Sequence, residues 1–319
     1  MSAGYDVVVV AGDRHASRPV LDESKAFLPL AGAPLLHHVL AAVERARATA
    51  RVFVVGDARR IRASLEARSG PPHGLRPLVV LEQRDTLYQN LWVGFRASLG
   101  DVPQSAALDK PILVVPGDTP LVTAEEIDEF ADGCDLARYD YCIGAATEET
   151  LGAFYPTADR PGIAMTYFDF RQARLRQNNL HLVKPLRFGN REYVERVYEL
   201  RYQRQWRNVM TVALELWQHR DATARTVWSF ARLHIPRLAA GVGLRDTPLV
   251  RAAVLDLTEA EAVMSSLMRT RFNTVVTGYG GCALDIDDAA AYEAIRVNFT
   301  DWRAHLARLA ADRDRATPG

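Results

Sequence analysis

The sequence predicts an α/β fold built on a mixed, mainly parallel sheet flanked by helices. Its first half alternates continuous apolar runs with segments whose apolar residues recur at helical spacing. The first run, Tyr5–Ala11, has four consecutive valines, as expected for a strand buried on both faces. Three similar runs follow and are predicted strands: Arg51–Val55, Pro77–Leu81 and Pro111–Val115. We therefore predict a Rossmann-like α/β architecture.

Helices are predicted between these strands. Pro34 stands at a tolerated first position of one helix, and Thr86–Leu99 forms another with one apolar stripe. Thr123 with Glu126 three residues later predicts a capping box at the start of the next helix. The last predicted helix is Asp288–Ala311.

The pattern changes after about residue 140, where strands are predicted at Tyr139–Ala146, Gly162–Phe170 and Asn179–Lys184. Long helices are predicted over 191–217 and 222–238. Asn273–Thr277 and Ala283–Ile286, separated by a Gly-rich turn, predict a late β-hairpin. We expect a single domain over 1–312, in which 153–250 is a helical elaboration, and a disordered tail over 313–319.

Composition narrows the function classes. Of 319 residues, 39 are Lys or Arg and 39 are Asp or Glu, and this zero balance argues against wholesale binding of nucleic acid or acidic membranes. Three Cys without C-x-x-C spacing predict neither a disulfide framework nor a zinc site. No leader or long apolar run is evident, so we expect a cytoplasmic protein. Lysine occurs only at Lys25, Lys110 and Lys184. This rarity indicates that these positions require the compact, deep-reaching ammonium of lysine.

The loop after the first strand is the first candidate site. It contains Gly12, Arg14 and Arg18 and leads to Lys25. Backbone N–H groups and these cations could hold a polyphosphate; the alternative is an ordinary strand-to-helix loop with solvated charges.

The second candidate is VVPGDTPL at Val114–Leu121, where a buried strand ends. Ligands of open α/β sheets bind at that edge, and Asp118 could hold Mg²⁺ there. The alternative is a Gly-Asp turn that leads into a helix.

Together these segments resemble the MobA-like and sugar-phosphate NTP transferases, whose fold is the GT-A-like nucleotide-diphospho-sugar transferase type. Ala11-Gly12 corresponds to the start of the family's loop, Arg18 or Arg14 to its arginine, and Lys25 to its signature lysine. Gly117, Asp118 and the following Pro-Leu match the strand-end motif. The chain departs from the pattern at Asp13, where a second glycine is usual.

The resemblance implies further site residues. Asp285 or Asp287 would be the second metal ligand beside Asp118, while Asp288 is also read as a helix N-cap. Gln83 lies where relatives contact the nucleobase; a solvated strand-to-helix junction is the alternative. Nucleotide binding is thereby assigned to Ala11, Gly12, Asp13, Arg14, Lys25, Gln83 and Gly117, and catalysis to Lys25, Arg18 and Asp118.

The acceptor site is predicted around a turn before a strand, which resembles the acceptor-binding turn of sugar-phosphate members. Its candidates are Arg176, Asn178 and Asn179, with Lys184 just beyond; an Arg-rich solvated turn is the alternative.

The implied activity is transfer of a nucleoside monophosphate from an NTP to a small phosphorylated acceptor, with Mg²⁺ as cofactor and pyrophosphate as product. The expected partners are the NTP and that acceptor, with no nucleic acid and no membrane, and a homodimer is left open. Two alternatives stay open as well: a GT-A glycosyltransferase that uses Asp285-Ile286-Asp287 as its metal motif, and a catalytically weak nucleotide-binding protein. The sequence leaves the NTP and the acceptor unassigned.

Overall fold

The computed structural model describes residues 4–14, 19–67, 76–190, 228, 232 and 247–316. Within them, one large sheet carries helices on both faces. The strands are β1 (Tyr5–Ala11), β2 (Pro29–Leu30), β3 (Ala33–Pro34), β4 (Thr49–Gly56), β5 (Leu78–Glu82), β6 (Ile112–Pro116), β7 (Tyr141–Thr147), β8 (Phe168–Asp169), β9 (Arg174–Val183) and β10 (Phe272–Thr277).

The helices of the described residues are α1 (Leu35–Arg45), α2 (Ala58–Glu66), α3 (Leu87–Leu99), α4 (Gln104–Ala107), α5 (Ala124–Gly133), α6 (Glu148–Leu151), α7 (Pro248–Ala253), α8 (Leu257–Met268) and α9 (Ala289–Ala316). Short 3-10 turns lie at 25–27, 152–154, 185–187 and 281–283. Among the helices of this described part, none has both the length and the apolar character needed to cross a bilayer.

The sheet order is β10-β7-β9-β6-β1-β4-β5, with β8 paired to β9. β9 runs antiparallel to its neighbours β6 and β7, whereas the other neighbouring pairs along this order are parallel. This arrangement confirms the predicted mixed, mainly parallel sheet. It also places the carboxyl ends of β6, β1, β4 and β5 along a single edge.

Strand β1 is buried on both faces, as its valine run predicts. Val7 and Val9 lie in the larger core, which includes residues of α1, α5 and α9. Val8 faces the other way, into a smaller core with Phe53 of β4 and Phe95 of α3. The strand therefore lies inside the molecule, and only its end can reach a ligand.

Strand β9 lies in the middle of the sheet, although its residues fall within the segment 153–250 that the sequence assigned to an elaboration. Residues 174–183 therefore belong to the core. The predicted helices 191–217 and 222–238 lie outside the described residues, and the single-domain assignment stays a prediction.

Three other assignments are corrected. Of the strand predicted at Gly162–Phe170, Phe168–Asp169 forms a short strand paired with the start of β9, and Phe170 forms an isolated bridge with Leu255. The late β-hairpin is wrong, because the chain after β10 turns through Gly280, at φ +80°, into a 3-10 turn at Gly281–Ala283. Helix α9 continues to Ala316, so the first residues of the expected tail are helical.

Asp140 links neighbouring segments at the edge of the sheet opposite the predicted site. It is buried, and its carboxylate accepts two hydrogen bonds of 2.6 Å from the Arg271 guanidinium and one of 3.5 Å from Lys184 Nζ. These contacts join the loops that precede β7 and β10 to the end of β9. The Arg271 hydrogen bonds lower the pKa of Asp140, although burial opposes the shift.

We expect Asp140→Asn to lower the melting temperature by roughly 2–6 °C, because it removes charge-assisted hydrogen bonds from a buried group. Since the pKa of Asp140 is lowered on folding, its stabilisation is present above the ordinary carboxyl pKa. It is lost as the pH falls through the lowered value. Thermal unfolding of both proteins from pH 7 to about pH 3 tests this: the difference should shrink only below about pH 4. A difference that does not change with acidification would contradict the assignment.

Candidate nucleotidyl-transfer site

The first loop is fixed by side chains from the neighbouring strand and helix. The Asp13 amide donates to Gln83 Oε1 at 2.8 Å, and Gln83 Nε2 donates to Asp13 Oδ1 at 2.7 Å. A Cβ at Gly12 would lie 2.6 Å from Asn90 Nδ2 and 3.1 Å from Gln83 Oε1. The absence of a side chain at Gly12 therefore lets the Asn90 and Gln83 amides pack closely against the loop.

This geometry revises the expected role of Gln83. Its buried amide forms a reciprocal pair with Asp13, so it holds the loop, and the geometry gives no support for contact with a nucleobase edge. Arg14 pairs with Glu82 at 3.4 Å and lies 3.8 Å from Asp85. Asp13 thus pairs with an amide and not with Arg14. Arg18 lies outside the described residues.

Lys25 lies in a 3-10 turn and extends its side chain toward the carboxyl ends of β1 and β6. Its Nζ is 3.2 Å from Asp118 Oδ2 and 3.4 Å from Asp287 Oδ1. The Lys25 side chain is only 7% exposed, whereas that of Asp287 is 49% exposed. The structure therefore brings together one ammonium and two carboxylates from three distant parts of the sequence.

Gly117 places Asp118 next to the end of β1. Its amide donates to the Val10 carbonyl at 2.7 Å, and a Cβ there would lie 2.9 Å from the same oxygen. The Asp118 carbonyl in turn accepts from the Ile286 amide at 3.2 Å. The motif of β6 is thereby joined directly to the segment that carries the other aspartates.

Asp285 is held by Arg176. The Arg176 guanidinium donates to Asp285 Oδ1 at 2.9 Å and to the Ala283 carbonyl at 3.0 Å. The Asp285 side chain is 7% exposed, so this ion pair lies largely inside the protein. Arg176 belongs to strand β9, not to a turn as the sequence predicted.

A bulge in β9 brings Asn179 to the same region. The register between β7 and β9 shifts opposite Gly144, and Asn179 adopts a left-handed φ of +60°. A Cβ at Gly144 would lie 1.9 Å from Asn178 Oδ1, so the glycine makes room for that side chain. Bulges of this kind redirect side chains next to functional sites.

A cleft of about 940 Å³, open to solvent, runs along this edge of the sheet. The predicted residues among its lining are Ala11, Gly12, Arg14, Lys25, Gly117, Asp118, Asn179 and Asp285. Asn90 and His181, which the sequence did not single out, also line it.

Two predicted acceptor residues do not line the cleft. Asn178 is fully buried and donates to Thr277 Oγ1 at 2.8 Å. Lys184 lies beyond the other end of β9, where it donates to the Leu136 carbonyl at 2.8 Å and contacts Asp140. Because β9 is extended, eight residues separate Lys184 from Arg176 by about 26 Å. The structure therefore brings neither residue to the lining of the cleft.

Comparison with protein families identifies the chain. The MobA-like NTP transferase domain matches residues 7–222, about two thirds of the sequence. The chain belongs to this family. Membership of this family assigns the chain to the nucleotidyltransferases as a general class. The match also confirms the resemblance drawn from the first loop and the strand-end motif.

The chain is also similar to solved structures, and the first of them supports the fold. A hypothetical transferase from Thermus thermophilus is 22% identical, with a TM-score of 0.52 over 89% of this chain and 97% of that chain. A nucleotidyl transferase from Methanothermobacter thermautotrophicus is 17% identical, with a TM-score of 0.44 over 94% and 99%. A CMP:2-keto-3-deoxy-manno-octonic acid synthetase complexed with CTP is 12% identical, with a TM-score of 0.44 over 94% and 99%. Likeness at such identities concerns the fold alone. Functionally characterised sequences gave no significant match.

The carboxylates of this MobA-like site suit Mg²⁺. Mg²⁺ keeps several waters and needs only one or two protein carboxylates when substrate phosphates supply other oxygens. Asp118 and Asp287 share the Lys25 ammonium, and Asp285 lines the same cleft. In the described ranges no three His, Cys, Asp or Glu side chains form a ready-made metal cage. A site completed by phosphates fits both observations.

Proposed function

We propose that this protein transfers a nucleoside monophosphate from an NTP to a small phosphorylated acceptor and releases pyrophosphate. The observation that carries the proposal is the 3.2 Å contact of Lys25 with Asp118 at the carboxyl edge of the sheet, beside Asp287. Ligands of open α/β sheets bind at this edge. NTPs are cytoplasmic metabolites, so we place the reaction in the cytoplasm.

In the proposed reaction an acceptor phosphate oxygen forms a bond to the α-phosphorus of the NTP. The bond from the α-phosphorus to the oxygen that bridges to the β-phosphate breaks, and its electron pair leaves with pyrophosphate. Such transfers need positioning and charge stabilisation more than covalent help from the protein. The described residues of the cleft match this need, since they supply cations and backbone amides.

Each group has a place in this scheme. The amides of Gly12 and Arg14 and the Lys25 ammonium would hold the phosphates of the NTP and stabilise the charge that develops on them. The Lys25 head group is fixed by two carboxylates, so little reorganisation is needed when the phosphates arrive. We assign Arg18 to the same phosphates only as a prediction, on the basis of sequence resemblance.

Mg²⁺ would be held by Asp118 together with Asp285 or Asp287, and it would supply charge neutralisation between the phosphate oxygens. Of the two alternatives, Asp287 has the more exposed side chain and already contacts Lys25. Asp285 is fixed by Arg176. The acceptor would bind beside that pair, where Arg176 and Asn179 adjoin the cleft.

The function is tested by pyrophosphate release, measured with pyrophosphatase and phosphate detection. The full chain is incubated with each of four NTPs, Mg²⁺ and a panel of sugar 1-phosphates, alditol phosphates and phosphorylated cofactor precursors. We expect release that requires one NTP, one acceptor and the metal together. Release of a nucleoside diphosphate from a nucleotide-sugar, with no pyrophosphate from any NTP, would contradict the proposal and favour glycosyl transfer. NTP binding by calorimetry with no turnover on the panel would favour a nucleotide-binding protein.

A further inference from the structure

Glu126 is a fully buried carboxylic acid in the first turn of α5, directly behind the aspartate-bearing segment. Its backbone amide donates to Thr123 Oγ1 at 3.1 Å, as the predicted capping box requires. Its carboxyl group contacts a different part of the chain. Glu126 Oε2 accepts from the Cys282 amide at 2.9 Å, so the side chain turns away from its own helix and toward the end of the chain's last loop.

The second carboxyl oxygen reaches two other elements. Glu126 Oε1 lies 3.5 Å from Thr277 Oγ1 at the end of β10 and 3.5 Å from Asn178 Nδ2 in the β9 bulge. Asn178 and Thr277 also hydrogen bond to each other at 2.8 Å. One carboxyl group therefore joins the start of α5 to the end of β10, the turn at Cys282 and the β9 bulge. Asn179 of the bulge lines the cleft, and Asp285, which also lines it, follows Cys282 by three residues.

The turn that contains Gly281 and Cys282 packs tightly against the residues that lead into α5. A Cβ at Gly281 would lie 2.1 Å from the Leu121 carbonyl oxygen and 3.2 Å from Glu126 Oε2. A side chain at position 281 is therefore excluded, and the main chain can approach the carboxyl group. Asp285, which lines the cleft, follows Gly281 by four residues, and Asp287 follows two residues later.

We propose that Glu126 is a positioning residue, whose carboxyl group holds the 280–287 segment and the β9 bulge at the distance from Asp118 that metal binding requires. The hydrogen bonds that support this inference are present in the resting protein. Its expected effect on metal binding rests on the proposed function. Partners that orient metal ligands in this way commonly alter metal affinity by 10–100-fold when they are removed.

The chemistry of the contacts favours this role over that of an ordinary core residue. The Cys282 amide, the Asn178 side-chain amide and the Thr277 hydroxyl, which hydrogen bond to the Glu126 carboxyl group, are all neutral. Burial raises the pKa of Glu126 to about 7, against the lowering by the Cys282 amide. Among the described residues, these hydrogen bonds to Glu126 involve no cation. A buried acid held only by neutral groups is costly to keep, so packing alone is a poor reason for its presence.

The test uses Glu126→Gln, which keeps the size and one acceptor oxygen but places an NH₂ group against the Asn178 or Thr277 donors. Hydrogen exchange of the ligand-free full chain, followed by mass spectrometry, should show faster exchange over 278–288 than in the wild type. The Mg²⁺ concentration for half-maximal pyrophosphate release should rise by about 10-fold. Thr277→Val, which removes only the hydroxyl, should change both readouts in the same direction and by less.

Asp140→Asn is the matched control, because it also neutralises a buried carboxylate but at the opposite edge of the sheet. It should lower the melting temperature and leave both the exchange of 278–288 and the Mg²⁺ requirement unchanged. Unchanged exchange over 278–288 in Glu126→Gln and Thr277→Val would overturn the positioning role, whatever the activity. If the wild type releases no pyrophosphate, the proposed function fails, while the exchange result still decides whether Glu126 positions this segment.

Discussion

Substitution of Lys25 by methionine is expected to lower turnover by about 100-fold or more, the usual loss when one fixed electrostatic donor is removed. Methionine keeps most of the volume of the buried stem but has no charge. The 3.2 Å and 3.4 Å contacts with Asp118 and Asp287 would be lost, which leaves two carboxylates beside the incoming phosphates. The measurement is the initial rate of pyrophosphate release at saturating NTP, acceptor and Mg²⁺.

Lys110→Met is the matched control for this experiment. Lys110 also reaches a buried carboxylate, because its Nζ lies 2.6 Å from Asp6 Oδ2, but it precedes β6 and so lies at the other edge of the sheet. We expect Lys110→Met to be less stable and to retain turnover. If both variants lost turnover equally, the loss would reflect folding, and if neither did, Lys25 would have no part in the transfer.

The proximity of Lys25 and Asp118 could be predicted from the sequence for a physical reason. Buried parallel strands must end at one edge, so a loop after β1 and a Gly-Asp after β6 meet there whatever the rest of the chain does. The rarity of lysine in the sequence was also informative. Lys25, Lys110 and Lys184 each reach a carboxylate that the larger guanidinium would approach differently.

The sequence failed where long-range pairing decides the structure. The backbone of β9 pairs with both β6 and β7, and a run of alternating polar and apolar residues cannot show which strands will be its partners. Lys184 was assigned to the acceptor site for the same reason, since the direction of β9 was unknown. The late hairpin failed because contacts with Leu121 and Glu126, some 155–160 residues earlier, fix the turn at Gly281.

Polar residues at strand ends and helix starts were also ambiguous. Gln83 and Glu126 carry groups that the sequence could place equally well in solvent, in a cap or in a ligand site. Only the fold shows that Gln83 pairs with Asp13 and that Glu126 turns toward Cys282. Asn90 had one usable signal, since it follows the capping box of Thr86 and Gln89 and is therefore fixed at the start of α3.

Asp118→Asn is expected to lower turnover by about 100-fold or more and to raise the Mg²⁺ concentration needed for half-maximal rate. Asparagine keeps the shape of the side chain, so the turn at Gly117 and the contact of Ile286 with the Asp118 carbonyl can persist. What is lost is the negative charge that Mg²⁺ prefers in a protein ligand. Pyrophosphate release across a Mg²⁺ titration provides the measurement.

The effect of Asp118→Asn should differ in kind from that of Lys25→Met, although the two side chains touch. Removing the ammonium deprives the phosphates of a donor, and no Mg²⁺ concentration should restore that loss in full. Removing the carboxylate weakens the metal site, so high Mg²⁺ should recover part of the rate. NTP binding measured without metal should fall in Lys25→Met and persist in Asp118→Asn. An identical Mg²⁺ dependence in Asp118→Asn and the wild type would exclude Asp118 as a ligand, and the metal would then have to bind through Asp285 and Asp287 alone.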